Sequence, residues 1–481
     1  MIPFSTFEPD SSKFNPAASV ATKNVLPVKD GWAPMRAYGE FSSALSEQCY
    51  GAQEGQKSDG TYELFAFTET TIQKYDSSTM GWTDVTPLAG AMTLPNGNIW
   101  STVDYGDYVI GTNTSDGPQY YDMNSSTEFI ALPGSPPSAR YVNKVGEYLF
   151  LMHTTADPNL VQWSGIGDIT EWTEGEATSS SQTIPDAGPI QGSARAQNGL
   201  YVICQDQINL FTFNPTGPYT FSRSVVNPSR GCISPGSIVE ANGTFFYLDE
   251  EGFYMGPQGV PIGAEKVNRY FLDNVDADFL PETQGAADAI NKIVWWRYKK
   301  TDATYEMLGY DWQLDRWTRA EANVNFLFNL HSPGYTLDGL DAVSAVLDDL
   351  PYSLDSRVWK GGRPTLAAFN TSHKFGYFEG DNMEASLETA DVELGDGLHR
   401  ACLRGYRFKT DAATFTGQVA ALDKYGDTVT FAAAKSPQTS GIIKERKTGR
   451  LHRFRQIIPA AENWTHSHGV LVDARQRAGR R

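Results

Sequence analysis

Short runs of apolar residues, separated by polar turns, recur along much of the chain. Between Ile293 and Thr318 three such runs follow one another, the second ending in Tyr310-Asp311 and the third containing Trp317. β-Branched and aromatic residues in short runs bounded by polar turns are typical of strands. The pattern therefore predicts a small antiparallel meander.

The same meander occurs elsewhere in the sequence. The run Tyr62–Phe67 leads, through a polar turn, to a second run that ends in Asp76, and Trp82 follows. Asp76 and Trp82 are six residues apart, as are Asp311 and Trp317. A second copy spans Asp107–Leu132, and looser copies begin near Glu147, Gly199, Gly243 and Arg357.

The spacing of these copies indicates an architecture. Equivalent positions at Tyr62, Tyr108, Tyr148, Tyr201, Phe245 and Val294 are separated by 46, 40, 53, 44 and 49 residues. A repeat of roughly 40–50 residues made of short strands is the signature of a propeller blade. Each meander exposes an apolar face that needs a neighbour on both sides, which a closed ring supplies. We expect an all-β chain built around a β-propeller of six or seven blades. One large antiparallel sandwich is the alternative.

The chain divides into three parts on this interpretation. Residues 1–45 are rich in proline, which forbids helix and favours an extended N-terminal arm with edge strands. One early strand is expected to close the ring by joining the last blade. Residues 46–380 hold the propeller, with a helical insertion near 337–350, where apolar residues recur at helical spacing.

The last part, residues 381–481, lacks the blade motif and predicts an antiparallel β-sandwich. Its expected strands are Ala385–Leu394, Arg404–Thr410, Phe415–Leu422, Asp427–Ala433, Leu451–Ile458 and Val470–Val472. Regular spacing of short strands with turns between them is typical of such a domain.

Charge separates the two ends of the chain. The whole sequence carries a formal net charge of −18. From His399 onward there are 16 Lys+Arg and 6 Asp+Glu, a net of +10, which leaves −28 for the first 398 residues. An acidic body repels nucleic acid at low salt, so it is not expected to grip DNA or RNA.

Motifs that carry chemistry are scarce. The sequence has no G-x-S-x-G elbow and no phosphate-binding glycine loop. His466 and His468 alternate on an expected strand and share a face, so both imidazoles could reach one metal, but neither cysteine nor a third histidine lies nearby. We expect no enzymatic activity, no cofactor and no bound metal.

The cysteines and the hydropathy bear on the compartment. Cys49, Cys204, Cys232 and Cys402 are far apart and form no C-x-x-C pair, which favours reduced, buried thiols over a disulfide framework. No stretch approaches the ~20 apolar residues of a membrane span. The N-terminal residues have neither a basic start nor an apolar core, so no secretory signal is expected. Synthesis in a cytoplasm follows.

A basic segment near the end is the candidate partner-binding site. In Lys444–Pro459 the residues after the turn alternate, so that Leu451, Arg453 and Arg455 are expected on one face. A row of arginines binds phosphates, forms salt bridges at a subunit contact, or is simply solvated. The candidate partner-binding residues are Arg446, Arg450, Arg453, Arg455 and Trp464.

The two ends of the chain carry a resemblance. The run Lys447–Trp464, together with Gly469-Val470, the final Gly-Arg-Arg, Asn24–Pro27 and Gly31–Pro34, resembles the tail hub (nozzle) proteins of short-tailed bacteriophages. The resemblance implies a structural virion protein: a homo-hexameric ring below the portal and the head-to-tail adaptor ring. It also implies contacts with tail fibres or spikes, and passage of double-stranded DNA during ejection. Its implied location is the phage tail, after synthesis in the host cytoplasm.

Two other functional classes remain open. A carbohydrate-binding or sugar-cleaving propeller would carry a central funnel with clustered aromatic residues and two carboxylates. A receptor-binding tail fibre or spike component would be a trimer rather than a hexamer.

Overall fold

The computed structural model describes residues 1–12, 15, 18–19, 21–215, 217, 219–331, 340, 343–344, 346, 350, 352–360, 364–395 and 398–476. The first six strands are short and belong to the N-terminal part of the chain. They are β1 (Ile2–Pro3), β2 (Thr6–Phe7), β3 (Ala18–Ser19), β4 (Val25–Val28), β5 (Gly31–Pro34) and β6 (Gly39–Ala44).

Six consecutive four-stranded antiparallel sheets follow, numbered here as blades I to VI. Blade I contains β7 (Gly51–Gln56), β8 (Tyr62–Phe67), β9 (Ile72–Asp76) and β10 (Gly81–Asp84). Blade II contains β11 (Ser101–Tyr105), β12 (Tyr108–Thr112), β13 (Gln119–Asp122) and β14 (Ile130–Ala131). Blade III contains β15 (Ala139–Val145), β16 (Tyr148–Thr154), β17 (Leu160–Trp163) and β18 (Ser180–Thr183).

Blade IV contains β19 (Ile190–Ala196), β20 (Gly199–Cys204), β21 (Ile208–Phe213) and β22 (Phe221–Asn227). Blade V contains β23 (Val239–Ala241), β24 (Thr244–Asp249), β25 (Gly252–Met255) and β26 (Val260–Pro261). Helix α1 (Asn268–Asn274) then leads to blade VI, with β27 (Gln284–Asp288), β28 (Ile293–Lys299), β29 (Tyr305–Asp311) and β30 (Arg316–Ala320).

Blade VII combines the two ends of the propeller region. It contains β31 (Val324–His331), β32 (Pro364–Asn370) and β33 (Lys374–Tyr377), with the short helix α2 (Arg357–Lys360) before β32. The fourth strand is β6, which pairs antiparallel with β33, so an early strand closes the ring as the sequence indicated. The described part of the chain is therefore an all-β fold with a seven-bladed propeller.

The inner strands contact one another around the ring. Contacts run from β7 through β11, β15, β19, β23 and β27 to β31, and β31 contacts β7 again. The repeat positions found in the sequence, from Tyr62 to Val294, all lie in the second strand of a blade. The inner strands themselves escaped the sequence analysis, because segments such as Gly51–Gln56 and Gln284–Asp288 carry mostly small or polar residues.

Each junction between neighbouring blades has its own apolar core. Phe65, Phe67 and Phe129 pack between blades I and II, for example, with ring centroids 5.5 Å apart in both pairs that include Phe129. Separate clusters fill the other six junctions. The cluster between blades V and VI continues into the remaining strands of the chain, so the propeller and the C-terminal part share one core.

Those remaining strands form two packed sheets. They are β34 (Ala385–Glu388), β35 (Val392–Glu393), β36 (Ala401–Thr410), β37 (Thr416–Leu422), β38 (Ile443–Gly449), β39 (Leu451–Ile458) and β40 (Ser467–Gln476). One sheet has the order β38-β36-β40-β5-β4, with β1 also paired to β40. In the other, β39 pairs with β34, β35 and β37. Strands of the N-terminal arm are thus part of the C-terminal sandwich.

The arm also covers the outer edge of blade VI. The amide of Asn24 donates to the carbonyl of Arg319 at 2.9 Å, and the guanidinium of Arg316 donates to the carbonyl of Val28 at 2.7 Å. An exposed edge strand offers unpaired backbone groups to other chains, so covering β30 removes that liability.

Several predicted elements differ from the structure. The copy expected at Arg357 is helix α2, and the last blade begins at Val324. The strand expected over Asp427–Ala433 is absent from that described segment. Instead the amide of Ala432 donates to Val419 in a single hydrogen bond, which makes no ladder. Most of the helix expected near 337–350 lies outside the described residues.

Two further strand predictions were wrong in their limits. The strand expected over Ala385–Leu394 is two short strands, β34 and β35, separated at Thr389, whose amide donates to Phe454 on β39. The segment Ile443–Gly449, for which no strand was predicted, is strand β38, because its residues alternate between the sandwich core and solvent.

The closing strand generates the first prediction. Phe41 on β6 is 3% exposed and packs against Tyr352, Phe375 and Tyr377. Phe41→Ala should lower the free energy of unfolding by about 3–5 kcal/mol, the usual cost of truncating a buried phenylalanine. Denaturant unfolding measures it, and the exposed neighbour Glu40→Ala is the control, with an expected loss under about 1 kcal/mol. Equal losses in the two variants would contradict closure by packing.

The same strand generates a pH prediction. The hydrogen bond from Lys374 lowers the pKa of Glu40 below its usual value of 4.5. A carboxyl whose pKa is lower in the folded state stabilises it above the usual pKa, and this contribution is lost as pH falls through the lowered value. Glu40→Gln should therefore destabilise the protein at neutral pH and leave its stability unchanged at pH values below the lowered pKa. An effect independent of pH would show that Lys374 does not hold the carboxylate.

Candidate interaction surface

Arg453 and Arg455 on β39 bind carboxylates of the same chain. The Nε of Arg455 donates to Glu388 Oε1 at 2.5 Å, and the Nε of Arg453 donates to Asp391 Oδ1 at 2.8 Å. The side chain of Glu388 is only 2% exposed. The prediction that these two arginines face a partner is therefore corrected, because internal ion pairs occupy their guanidinium groups.

These pairs belong to a polar junction between the sandwich and blade VI. There Tyr270, Tyr298 and Arg319 all donate to the carboxylate of Glu306, at 2.8, 2.6 and 3.1 Å. Burial raises the pKa of Glu388, against the lowering influence of Arg455, Arg453 and Arg319. Removing the partner of such a buried carboxylate leaves an uncompensated charge in the interior, which strongly destabilises the fold.

The other three predicted residues have different surroundings. Trp464 is 2% exposed and lies in the shared core, so the prediction that it contacts a partner is wrong. Arg450 is half-buried, and its Nε donates to the carbonyl of Leu398 at 3.3 Å. Arg446 on β38 is exposed. Of the five, Arg446 is the one whose position suits an intermolecular contact.

Arg446 belongs to a larger cationic surface, called here the basic face. It is the outer side of the sheet formed by β38, β36 and β40, whose inner side carries the buried residues Leu403, Tyr406 and Phe408. Six exposed cations lie on it: Arg404, Arg407, Lys409, Lys444, Arg446 and Arg475. Within the described residues, none of these six forms an ion pair with a carboxylate.

The register places these cations side by side. Arg407 lies opposite the exposed Leu471 on β40, and Lys444 on β38 lies opposite Gly405, next to the bulge at Arg404. Asp473 is the exposed acid on the same strands. The sequence does carry a sign of this surface, because Arg404, Arg407 and Lys409 interrupt the apolar residues of β36. The sequence analysis predicted a strand there but no binding site.

The inner strands of the propeller carry charges that link different blades. His331 Nδ1 lies 2.7 Å from Glu54 Oε2, and Lys144 Nζ lies 2.8 Å from Asp104 Oδ2. Arg195 reaches Asp104 at 3.9 Å. These side chains tie blades VII to I and II to III and IV, which supports a structural role at this end of the inner strands.

The histidine pair and the four cysteines were the other candidates for chemistry. Within the described ranges, no group of three or more His, Cys, Asp and Glu side chains is arranged to hold a metal ion. The rings of His466 and His468 stack, with centroids 5.8 Å apart, and His468 Nδ1 lies 2.6 Å from the carbonyl of Asp30. All four cysteines are free thiols, and burial raises the pKa of Cys232 to about 11.

In the part of the chain that is described, no helix is long and apolar enough to cross a membrane.

Neither a protein-family model nor a curated protein sequence matches the chain. Solved structures resemble it in fold. A computationally designed protein, Ika8, shares 7% identity over 73% of this chain and 98% of its own, with a TM-score of 0.38. The N-terminal domain of Nup159 shares 10% over 74% and 97%, with a TM-score of 0.34.

A third similar structure is PorZ, a bacterial surface component of the type-IX secretion system of Porphyromonas gingivalis. It shares 9% identity over 76% of this chain and 43% of its own, with a TM-score of 0.33. Likeness at this level concerns fold class and bears on no functional assignment.

The ionic junction generates a prediction. Glu388→Ala removes the buried carboxylate that pairs with Arg455 at 2.5 Å and lies 3.9 Å from Arg453, which keeps its contact with Asp391. The free energy of unfolding should therefore fall by about 3–5 kcal/mol. Chemical denaturation measures the loss. Arg446→Ala, on the basic face of the same domain, should change stability by less than about 0.5 kcal/mol. A small effect of Glu388→Ala would mean that solvent already compensates the two arginines.

Proposed function

We propose that this protein is a structural subunit of the tail hub, or nozzle, of a short-tailed bacteriophage. In this role six copies form a ring below the portal and adaptor ring. The ring retains the genome and lets double-stranded DNA pass during ejection, and fibres or spikes attach around it.

One observation carries the proposal. The segments on which the resemblance rests come from opposite ends of the sequence, yet they meet in one domain. Gly31–Pro34 is strand β5, and it joins β40 through the pair of Trp32 with Ser467. Within Lys447–Trp464, the segment Leu451–Ile458 is strand β39 in the facing sheet. Segments that coincide in one folded unit are a stronger basis for a resemblance than scattered matches.

The linkage between arm, sandwich and blade VI supports a load-carrying subunit. The Nδ2 of Asn24 donates to the carbonyl of Glu384 at 2.9 Å, while the backbone of Asn24 binds Arg319 on blade VI. The shared core between blades V and VI extends through Trp32 to Phe454. A subunit that forms a conduit benefits from such continuity, because the propeller and the sandwich then move as one body.

The charge distribution supports passage of DNA rather than binding of it. The first 398 residues carry −28. An acidic lumen repels the DNA backbone at short range and lowers sticking during ejection. This part of the proposal fails if the lumen of the assembled ring is basic.

Electron microscopy of the purified protein tests the function. Negative-stain images should show six-fold rings with a central channel, either from the protein alone or after mixing with the adaptor ring of its virus. Mass measurement distinguishes the hexamer from the trimer of a receptor-binding fibre. Monomers in both samples, together with binding on a glycan array, would replace the hub with a carbohydrate-binding propeller.

A further inference from the structure

The basic face has no partner within the described chain. Its six cations project from one side of a sheet whose other side is buried in the sandwich core. Leu471, 46% exposed, lies among them, and the nearby Ile442 is 41% exposed. Exposed apolar side chains rimmed by charged residues are a feature of protein interaction surfaces.

Blade III offers a surface of opposite charge. Residues 145–194 contain seven Asp and Glu and no Lys or Arg. Within this segment, Glu147, Asp168, Glu174 and Glu176 are exposed and Glu171 is partly exposed. Hydrogen bonds from Thr170 lower the pKa of Asp168, and those from Thr173 lower the pKa of Glu171, so both carboxylates stay ionised at neutral pH.

These acids, called here the blade III patch, also border apolar surface. Ile166 is 49% exposed beside them. A groove of about 560 Å³ runs from Ile166 between blades III and IV and is lined by Val145, Tyr148 and Phe213. Lys144 and Arg195 also line it, and both lie within ion-pair distance of Asp104, at 2.8 and 3.9 Å. The patch therefore matches the basic face in both respects: opposite charge around an apolar centre. Such complementarity favours one partner and repels wrong ones.

The two surfaces lie far apart in one subunit. The sandwich joins the propeller at blade VI, through β4 along β30, and β36 and β38 lie at the other end of that sheet. Blade III is three blades from blade VI around a ring of seven. One subunit therefore cannot bring its own two surfaces together. Complementary surfaces on opposite sides of a subunit make head-to-tail contacts, which close into a ring when the rotation between subunits permits it.

We propose that the basic face of one copy docks on the blade III patch of the next copy of this chain. This inference rests on the proposed function, since it names the contact that joins neighbouring subunits of the ring. The contact is heterologous: Arg407, Lys409 and their neighbours meet Glu174, Glu176 and their neighbours.

Reversal of charge on each surface tests the contact. Arg407→Glu/Lys409→Glu, and separately Glu174→Lys/Glu176→Lys, should each raise the dissociation constant for self-association about tenfold or more, because attraction becomes repulsion. Sedimentation velocity at about 50 mM and about 500 mM salt measures this, since exposed pairs weaken as salt screens them. Both variants place charges at exposed positions, and their thermal unfolding should match that of the wild type.

Combining the two reversals in one chain is the decisive variant. It restores opposite charges across the contact with the signs exchanged, so association should return toward the wild-type value. The matched control is Arg269→Glu/Lys292→Glu, which makes the same change in net charge at exposed positions outside the basic face. It should leave association unchanged. Failure of the combined variant to restore association would overturn the proposal.

The outcomes separate this contact from the function it serves. Rings that form in the wild type and equally in both reversed variants would overturn the contact and leave the hub intact. A wild type that stays monomeric even with the adaptor ring would remove the hub and the contact together. Loss of duplex DNA binding in Arg407→Glu/Lys409→Glu, with association unchanged, would overturn the contact in favour of a nucleic-acid surface.

Discussion

The pairing of β6 with β33 is the contact on which the rest of the structure depends. Each blade is a sheet with two apolar faces, and none of them is stable without a neighbour on both sides. The last blade lacks its outer strand until β6 supplies it, and a Cβ on Gly376 would lie only 1.9 Å from the carbonyl oxygen of Gly39. This close approach fixes residues near the start of the chain against residues about 330 positions later.

Closure of the ring also determines where the arm goes. The residues before β6 form β5 and β4 of the sandwich sheet, β4 lies along β30 of blade VI, and β1 pairs with β40. Because the arm supplies β1, β4 and β5 to one sheet of the sandwich, that domain cannot be completed by residues 381–481 alone. The covalent chain connects the propeller to the sandwich, and the arm strands that precede the propeller complete a sandwich sheet. Both parts share one continuous apolar core.

Charge is used in two ways in this protein. Where carboxylates are buried, as at Glu306 and Glu388, arginines and tyrosines of the same chain bind them, and they hold the junction between sandwich and propeller together. Two groups of exposed charges cluster by sign, with cations on the basic face and acids on blade III. The first kind of pair specifies the fold of one subunit. The second is free to act between subunits.

The sequence by itself determined the all-β class, the blade repeat and the end of that repeat near residue 380, because strand periodicity and turn chemistry are local properties. It located Arg453, Arg455 and Trp464 as a notable group but misjudged their role, since the carboxylates of Glu388 and Asp391 meet them only after β34 and β39 pair. The number of blades, the route of the arm and the basic face were decided by tertiary structure. Each depends on which distant strands become neighbours, and local patterns of polarity do not encode that choice.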